Sequence, residues 1–414
     1  MRAMAAVDAQ LLWLSAKVPN DQFLLYAFTG TPEDIDAAVA EVRRHAGSCP
    51  ELYLRAVDDS RWRYPRWEPG PITDEQFTVH HGAGQDWQDW QDCLDAVSRL
   101  AQLGSTGVPW RVHVFPAVAG IPGAATGSVV VVQISHAFGD GTRSAALAAS
   151  LLGRRQPAPP VGRPDRGVLP WRAAVAAREH RRLMRDVGAG LADPPGVPRL
   201  PRSVNAGPRG VAVVRTLVLD RTRLPGRTVT VGALVAVAEA LGGYLADRGE
   251  DISRLGAEVP ISTGAAGLAH NNFSNVGVDL YPELAPAERA DRITAQLAAH
   301  RRRGEHPAMR TSAAAFAAVP APVLRWGVGR FDPAARPGAV SGHTVVSSVN
   351  RGPADLTFGG RRVLFTAGYP ALSPMMGLAH GVHGIGDTVA ISVHADLSAV
   401  DVQDYLGRLA RAVS

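Results

Sequence analysis

The chain has 414 residues, is 46% hydrophobic and 20% charged, and carries a formal net charge of +5. That length suits two domains of about 150–200 residues each, and the apolar fraction excludes wholesale disorder. Lys17 is the one lysine among 43 basic residues, and the arginines are scattered rather than gathered into a strip with aromatics, which argues against a nucleic-acid partner.

From the N-terminus, Met1–Pro19 holds an apolar patch at Leu11, Leu12, Trp13 and Leu14, interrupted by Asp8 and Gln10, a weak match to a signal peptide. No apolar run approaches the ~20 residues of a membrane span. The stretch Ala313–Leu324 is broken by Pro320 and Pro322, so the expectation is a cytoplasmic protein, at most peripheral to a membrane. Thr31-Pro32-Glu33-Asp34 predicts a helix start with Thr31 as its cap, followed by Ile35, Val39 and Val42 on one face. Cys49 and Cys93 are too few for a disulfide framework or zinc cluster and read as reduced thiols, with no metal. Trp62, Trp67, Trp87 and Trp90 predict aromatic packing, and His80-His81 an exposed polar pair. Residues 84–103 predict a second helix.

Ser128–Ser135 is a β-branched run that predicts a central strand buried on both faces. A tight segment follows, and Thr142 is placed to cap a helix carrying Leu147, Leu151 and Leu152. Prolines then cluster at 157–170 and 194–208 around an Arg-rich, helical stretch, Trp171–Leu191. This reads as a crossover linker over 154–210, between a first lobe at 1–153 and a second at 211–414. Its arginines, Arg178, Arg181 and Arg182 among them, form either a solvated face or an attraction for an anionic donor or surface. The second lobe reads as strands near Val211–Leu219, Val276–Tyr281, Thr344–Val349, Arg362–Thr366 and Thr388–Ala395, with helices started by Thr228 or Thr230 and by Pro286, and a closing helix over Asp401–Val413. His380, His383 and His394 contain an H-x-x-H pair without a carboxylate at ligand spacing, so they read as tunnel lining rather than a metal site.

The segment that carries chemistry is Gln133-Ile134-Ser135-His136-Ala137-Phe138-Gly139-Asp140-Gly141. A histidine held at the end of a buried strand is neutral near pH 7 and can take a proton from a hydroxyl, amine or thiol. Asp140 reads as a group that fixes the turn by a salt bridge, and Gly141 as the residue that permits the close turn. A second reading stays open, in which His136 satisfies a local hydrogen bond and Asp140 caps the helix.

This segment resembles the HHxxxDG motif of the condensation-domain superfamily, and the chain as a whole resembles the bacterial wax ester synthase/diacylglycerol acyltransferase (WS/DGAT) family. The likeness runs in order through Val7-Asp8-Ala9, Val108-Pro109-Trp110, Glu258-Val259-Pro260-Ile261-Ser262, Asn271-Asn272, Leu280-Tyr281-Pro282 with Glu288-Arg289, and Ser347-Ser348-Val349-Asn350-Arg351-Gly352-Pro353. The resemblance implies an α/β fold of two chloramphenicol-acetyltransferase-like sandwich lobes, a pseudo-dimer with a tunnel between them. It implies His136 as general base with Ser135, Asp140 and Gly141 as motif support. It also implies an acyltransferase with no cofactor, taking an acyl-CoA or acyl-carrier-protein thioester as co-substrate and a small-molecule hydroxyl or amine as acceptor. Ser135 stands where the motif has its first histidine, and Val231-Gly232 where the family has Asn-Asp. These departures leave room for a condensing or cyclising catalyst on a carrier-bound intermediate, or for a homologue that binds ligand without turnover.

Overall fold

The computed structural model describes residues 2–82, 87–263 and 267–414. The first lobe is built on a six-stranded sheet in the order Thr357–Phe358, Arg361–Tyr369, Gln22–Thr29, Thr126–Ile134, Trp110–Ala119 and Phe77–Val79. Its pairings are antiparallel except the last, which is parallel. Thr126–Ile134 is the expected central strand. Its period-two alternation sends Val130, Val132 and Ile134 to one apolar cluster and Val129 and Val131 to another. Each of these fully buried side chains stabilises the fold by about 1.5–3 kcal/mol.

The second lobe is built on the order Phe273–Asp279, Gly256–Ser262, Thr344–Asn350, Leu378–Ile385, Thr388–Asp396 and Ala212–Asp220. Helices Val229–Ala246, Pro286–Glu305 and Val402–Ala412 cover it and share its core. Val229–Ala246 is long and apolar enough to cross a membrane, with Glu239 its one charged residue. Most of it is buried inside the second lobe, as a core helix is.

The chain does not divide cleanly at the linker. Arg361–Tyr369 follows four strands of the second sheet, yet it pairs antiparallel with Gln22–Thr29 and belongs to the first sheet. A third apolar cluster joins the lobes, with Leu25, Phe115 and Phe365 of the first sheet against Val214 and Ala390 of the second.

Several local expectations change. Asp34, not Thr31, caps the first predicted helix, accepting from the Ala37 N–H at 2.8 Å, because the helix starts only at Ile35. The helix expected over 84–103 spans Trp90–Ser98, and residues 84–86 lie outside the described ones. The apolar N-terminal patch lies in helix Ala6–Leu14, whose first turn carries the buried Asp8. Pro320 stands between helices Pro307–Ala317 and Ala321–Arg330 as the cap of the second, and Pro322 lies in that helix's first turn. Trp62 is exposed while Trp67 and Trp90 are buried. His80 is half-buried rather than a surface group, stacked on Phe115 and bonded through Nε2 to His113 Nδ1 at 3.0 Å. The linker contributes helix Leu169–Gly188, with Arg178, Arg181 and Arg182 on its exposed side.

Candidate active site

The central strand ends at Ile134, and the chain turns at once. Ser135 N–H donates to Pro109 O at 2.9 Å, which ties the turn to the Val108-Pro109-Trp110 segment. A single 3-10 turn, His136–Phe138, follows, closed by Phe138 N–H to Ser135 O at 2.8 Å. Helix Gly141–Leu151 starts three residues later. The turn brings His136 into the wall of a cavity of about 1110 Å³ between the lobes. Ser135 is buried and does not contribute to that wall.

Asp140 is the N-cap of that helix, in place of Thr142, and accepts from Arg143 N–H at 3.0 Å through Oδ1. Its Oδ2 accepts from Asn272 N–H at 3.1 Å, and its own N–H donates to His270 O at 3.1 Å. The expected salt bridge is therefore replaced by three hydrogen bonds, two of which stitch the turn to 270–272. Gly141 is required by closeness rather than by its backbone angle: a Cβ there would lie 2.8 Å from Val349 Cγ2 on strand Thr344–Asn350. Arg143 is buried and anchors the turn from below through Phe138 O, Pro159 O and Glu51.

His136 Nδ1 lies 3.0 Å from Asn271 Oδ1. The Asn271 amide nitrogen donates to Asp8 Oδ1 at 3.0 Å and to His136 O at 2.8 Å. A carboxylate and a carbonyl are acceptors only, so these two bonds fix which end of the amide is NH₂. Its oxygen then faces Nδ1, and Nδ1 must carry the proton. Nε2 is left as the lone-pair nitrogen of the neutral ring, with no hydrogen-bond partner among the described residues. Burial holds the His136 pKa below the ordinary histidine value, opposed in part by the bond to Asn271 and by Asp140.

Asp8 anchors this arrangement. It is 1% exposed and also accepts from Asn271 N–H at 3.1 Å and His270 N–H at 2.9 Å. Burial pushes its carboxyl up to about 6, against the pull of those donors. Beneath them His270 bonds Phe138 O at 3.0 Å and stacks on Trp67. Asp8 and Asn271 are the two residues that single-site reading missed. Both stood in segments already matched to the family, and their pairing across 263 positions is what sequence order hides.

The remaining candidates separate. His383 lines the cavity, whereas His380 is locked between Thr344 Oγ1 and Tyr405 OH at 2.9 and 2.7 Å. Residues three apart on strand Leu378–Ile385 face opposite sides, so the H-x-x-H pair cannot share a ligand. His394 bonds Pro370 O and lines an adjoining cavity of about 390 Å³. Ser373 borders both cavities. Val231 and Gly232 are buried in the second core, away from the cavity wall.

Residues 270–414 match the WS/DGAT C-terminal domain family. No curated protein sequence matches the chain. Among solved structures, the wax ester synthase/diacylglycerol acyltransferase from Marinobacter aquaeolei VT8 is similar at 17% identity and a TM-score of 0.64, covering 99% of this chain and 98% of that one. The first condensation domain of the calcium-dependent antibiotic synthetase, in complex with a substrate analogue, gives 16% identity and a TM-score of 0.60 over 100% and 95% of the two chains. The starter condensation domain of rhizomide synthetase, as a variant in complex with C8-CoA and Leu-SNAC, gives 15% and 0.58 over 100% and 92%. The fold implied by the order of the motifs is borne out: the chain has the two-lobed chloramphenicol-acetyltransferase-like α/β fold of the WS/DGAT enzymes and condensation domains, and its residues 270–414 match the WS/DGAT C-terminal domain family.

Proposed function

We propose that the protein is an acyltransferase that moves an acyl group from a thioester, an acyl-CoA or acyl-carrier-protein conjugate, to a hydroxyl or amine acceptor. The observation that carries this reading is the tautomer of His136, whose Nε2 lone pair is left free at a cavity wall by Asn271 and Asp8. In the step, Nε2 takes the acceptor proton as the acceptor oxygen or nitrogen bonds the acyl carbon. The C–S bond then breaks, and the imidazolium returns the proton to the leaving thiolate. Lowering of the His136 pKa by burial keeps the ring neutral, and so basic, at ordinary pH. A cavity of about 1110 Å³ has room for two reactants held side by side, so the attack becomes effectively unimolecular without a covalent enzyme intermediate. The complex of the rhizomide synthetase domain with C8-CoA and Leu-SNAC supports a CoA thioester as one reactant. Ser135 and Val231-Gly232, the departures from the family pattern, lie off the cavity wall and so remove no group from it.

The test offers the purified chain a panel of acyl-CoAs with alcohols and amines and follows free thiol. His136→Ala is expected to lower turnover by about 100-fold or more, the scale for loss of a general base. A folded His136→Ala variant with near-normal turnover would remove the mechanism. Saturable binding of an acyl-CoA with no turnover against any acceptor would leave a ligand-binding homologue.

A further inference from the structure

Arg351 follows strand Thr344–Asn350 and is 4% exposed, yet it lines the cavity that holds His136. One nitrogen of its guanidinium is used by the protein: Nη1 donates to Ala367 O at 2.9 Å, to Leu25 O at 3.4 Å and to Thr366 Oγ1. The guanidinium lies 5.2 Å from the centre of the Tyr26 ring; Nε is buried without a geometric acceptor, and Nη2 has no acceptor among the described residues. No carboxylate among the described residues pairs with this charge. Among the described residues three acids share the cavity wall, but each is engaged elsewhere. Asp21 accepts from Leu103 N–H and Gln133, Asp140 from Arg143 and Asn272 N–H, and Glu258 from Asn275 and Ser341. A buried charge with no counter-charge is costly, and such groups are normally paired.

His383 stands beside it. It is 6% exposed, its Nδ1 is buried without a partner, and burial together with Arg351 keeps the ring neutral. A Cβ placed on Gly368 would lie 2.7 Å from Arg351 Nη2, 2.7 Å from His383 Cε1 and 3.0 Å from His383 Nε2. The two side chains therefore pack side by side against Gly368, and a residue with a side chain there would push them from their places. A buried guanidinium whose Nη2 has no protein acceptor among the described residues, next to a neutral imidazole, is chemistry for an anionic group.

We propose that Arg351 and His383 form a subsite for a carboxylate borne by one of the substrates. The proposal rests on reading the cavity as the place where the substrates meet. It narrows the acyl donor or the acceptor to a molecule with an acid group in addition to the reacting function.

The test measures binding in the full chain carrying His136→Ala, so that no turnover intervenes. Two matched pairs are titrated by calorimetry: 3-hydroxybutyrate against 3-hydroxybutyramide for the acceptor side, and succinyl-CoA against butyryl-CoA for the donor side. One pair is expected to favour its carboxylate member by about tenfold or more, the scale of a charge-assisted hydrogen bond, and that pair identifies the substrate that carries the acid. Adding Arg351→Met should bring the preference within about twofold while the neutral member binds as before. Gly368→Ala, whose methyl would displace the Arg351 and His383 side chains, should reduce the preference in the same way. Equal binding within both pairs overturns the proposal, as does a preference that survives in a folded Arg351→Met variant. Where Arg351→Met fails to fold, Gly368→Ala decides alone, and an unchanged preference there overturns it. An active acyltransferase with no preference would lose only the subsite; a chain without turnover that keeps the preference would lose only the mechanism.

Discussion

Asn271→Ala isolates the link between the turn and the chemistry. The substitution removes three side-chain hydrogen bonds, to Asp8 Oδ1, to His136 O and to His136 Nδ1. The bond to Nδ1 is the one that selects the tautomer. A net worth of about 1–1.5 kcal/mol for such a bond shifts the ratio of the two neutral tautomers by about tenfold when it is lost. Because only the form with a free Nε2 lone pair acts as base at the cavity, kcat should fall, by up to about tenfold. KM should stay near its original value, since Asn271 is not part of the cavity wall. Stability should drop as well, by about 2–4 kcal/mol for the lost bonds and a less satisfied buried carboxylate. Nitrogen-15 spectra of the imidazole give a readout that stability alone would not move: Nδ1 should be the protonated nitrogen in the native chain, with the second tautomer gaining in the variant. A native chain with its proton on Nε2, or a folded Asn271→Ala variant with unchanged kcat, would refute the reasoning.

Asp8→Asn should change the pH dependence of stability. The folded carboxyl holds its proton up to about pH 6, whereas the free group titrates near 3.8. Its contribution is present in full at pH below 3.8 and is lost as pH rises through the window from about 4 to 6. The shift corresponds to about 3 kcal/mol, so urea unfolding of the native chain should fall relative to the variant by that order across the window; parallel curves would contradict it. Asp140→Asn keeps a cap but turns one carboxylate oxygen into a donor facing Asn272 N–H, which costs about 1–3 kcal/mol. Melting and activity should fall together, and lost activity with unchanged melting would assign Asp140 a direct part in the reaction. Ser135 is buried away from the cavity wall, so peptide mass spectrometry after mixing with donor should find no acyl-Ser135; a stable adduct there would contradict this geometry.

Much of this protein is determined locally. The β-branched run before Ser135, the apolar spacing after Thr228 and the capping acid at 401 act through near neighbours, and each appears where its chemistry predicts. His136 was legible for the same reason, because a strand end followed by Asp-Gly is a statement about adjacent residues. What only the tertiary structure decided depends on closure over long separations. Arg361–Tyr369 reads as one more strand of its own half, but its place is set by which open edge it can pair with, and that edge belongs to Gln22–Thr29. Asp8 and Asn271 look like ordinary polar residues of a helix and a loop until the lobes bring them together under His136. Arg351 likewise looks like one of many scattered arginines, and only its burial beside His383, without a carboxylate partner among the described residues, sets it apart. Hydrogen-bond partners and the cost of burying charge are fixed by contacts in space, and residue order does not encode those contacts one segment at a time.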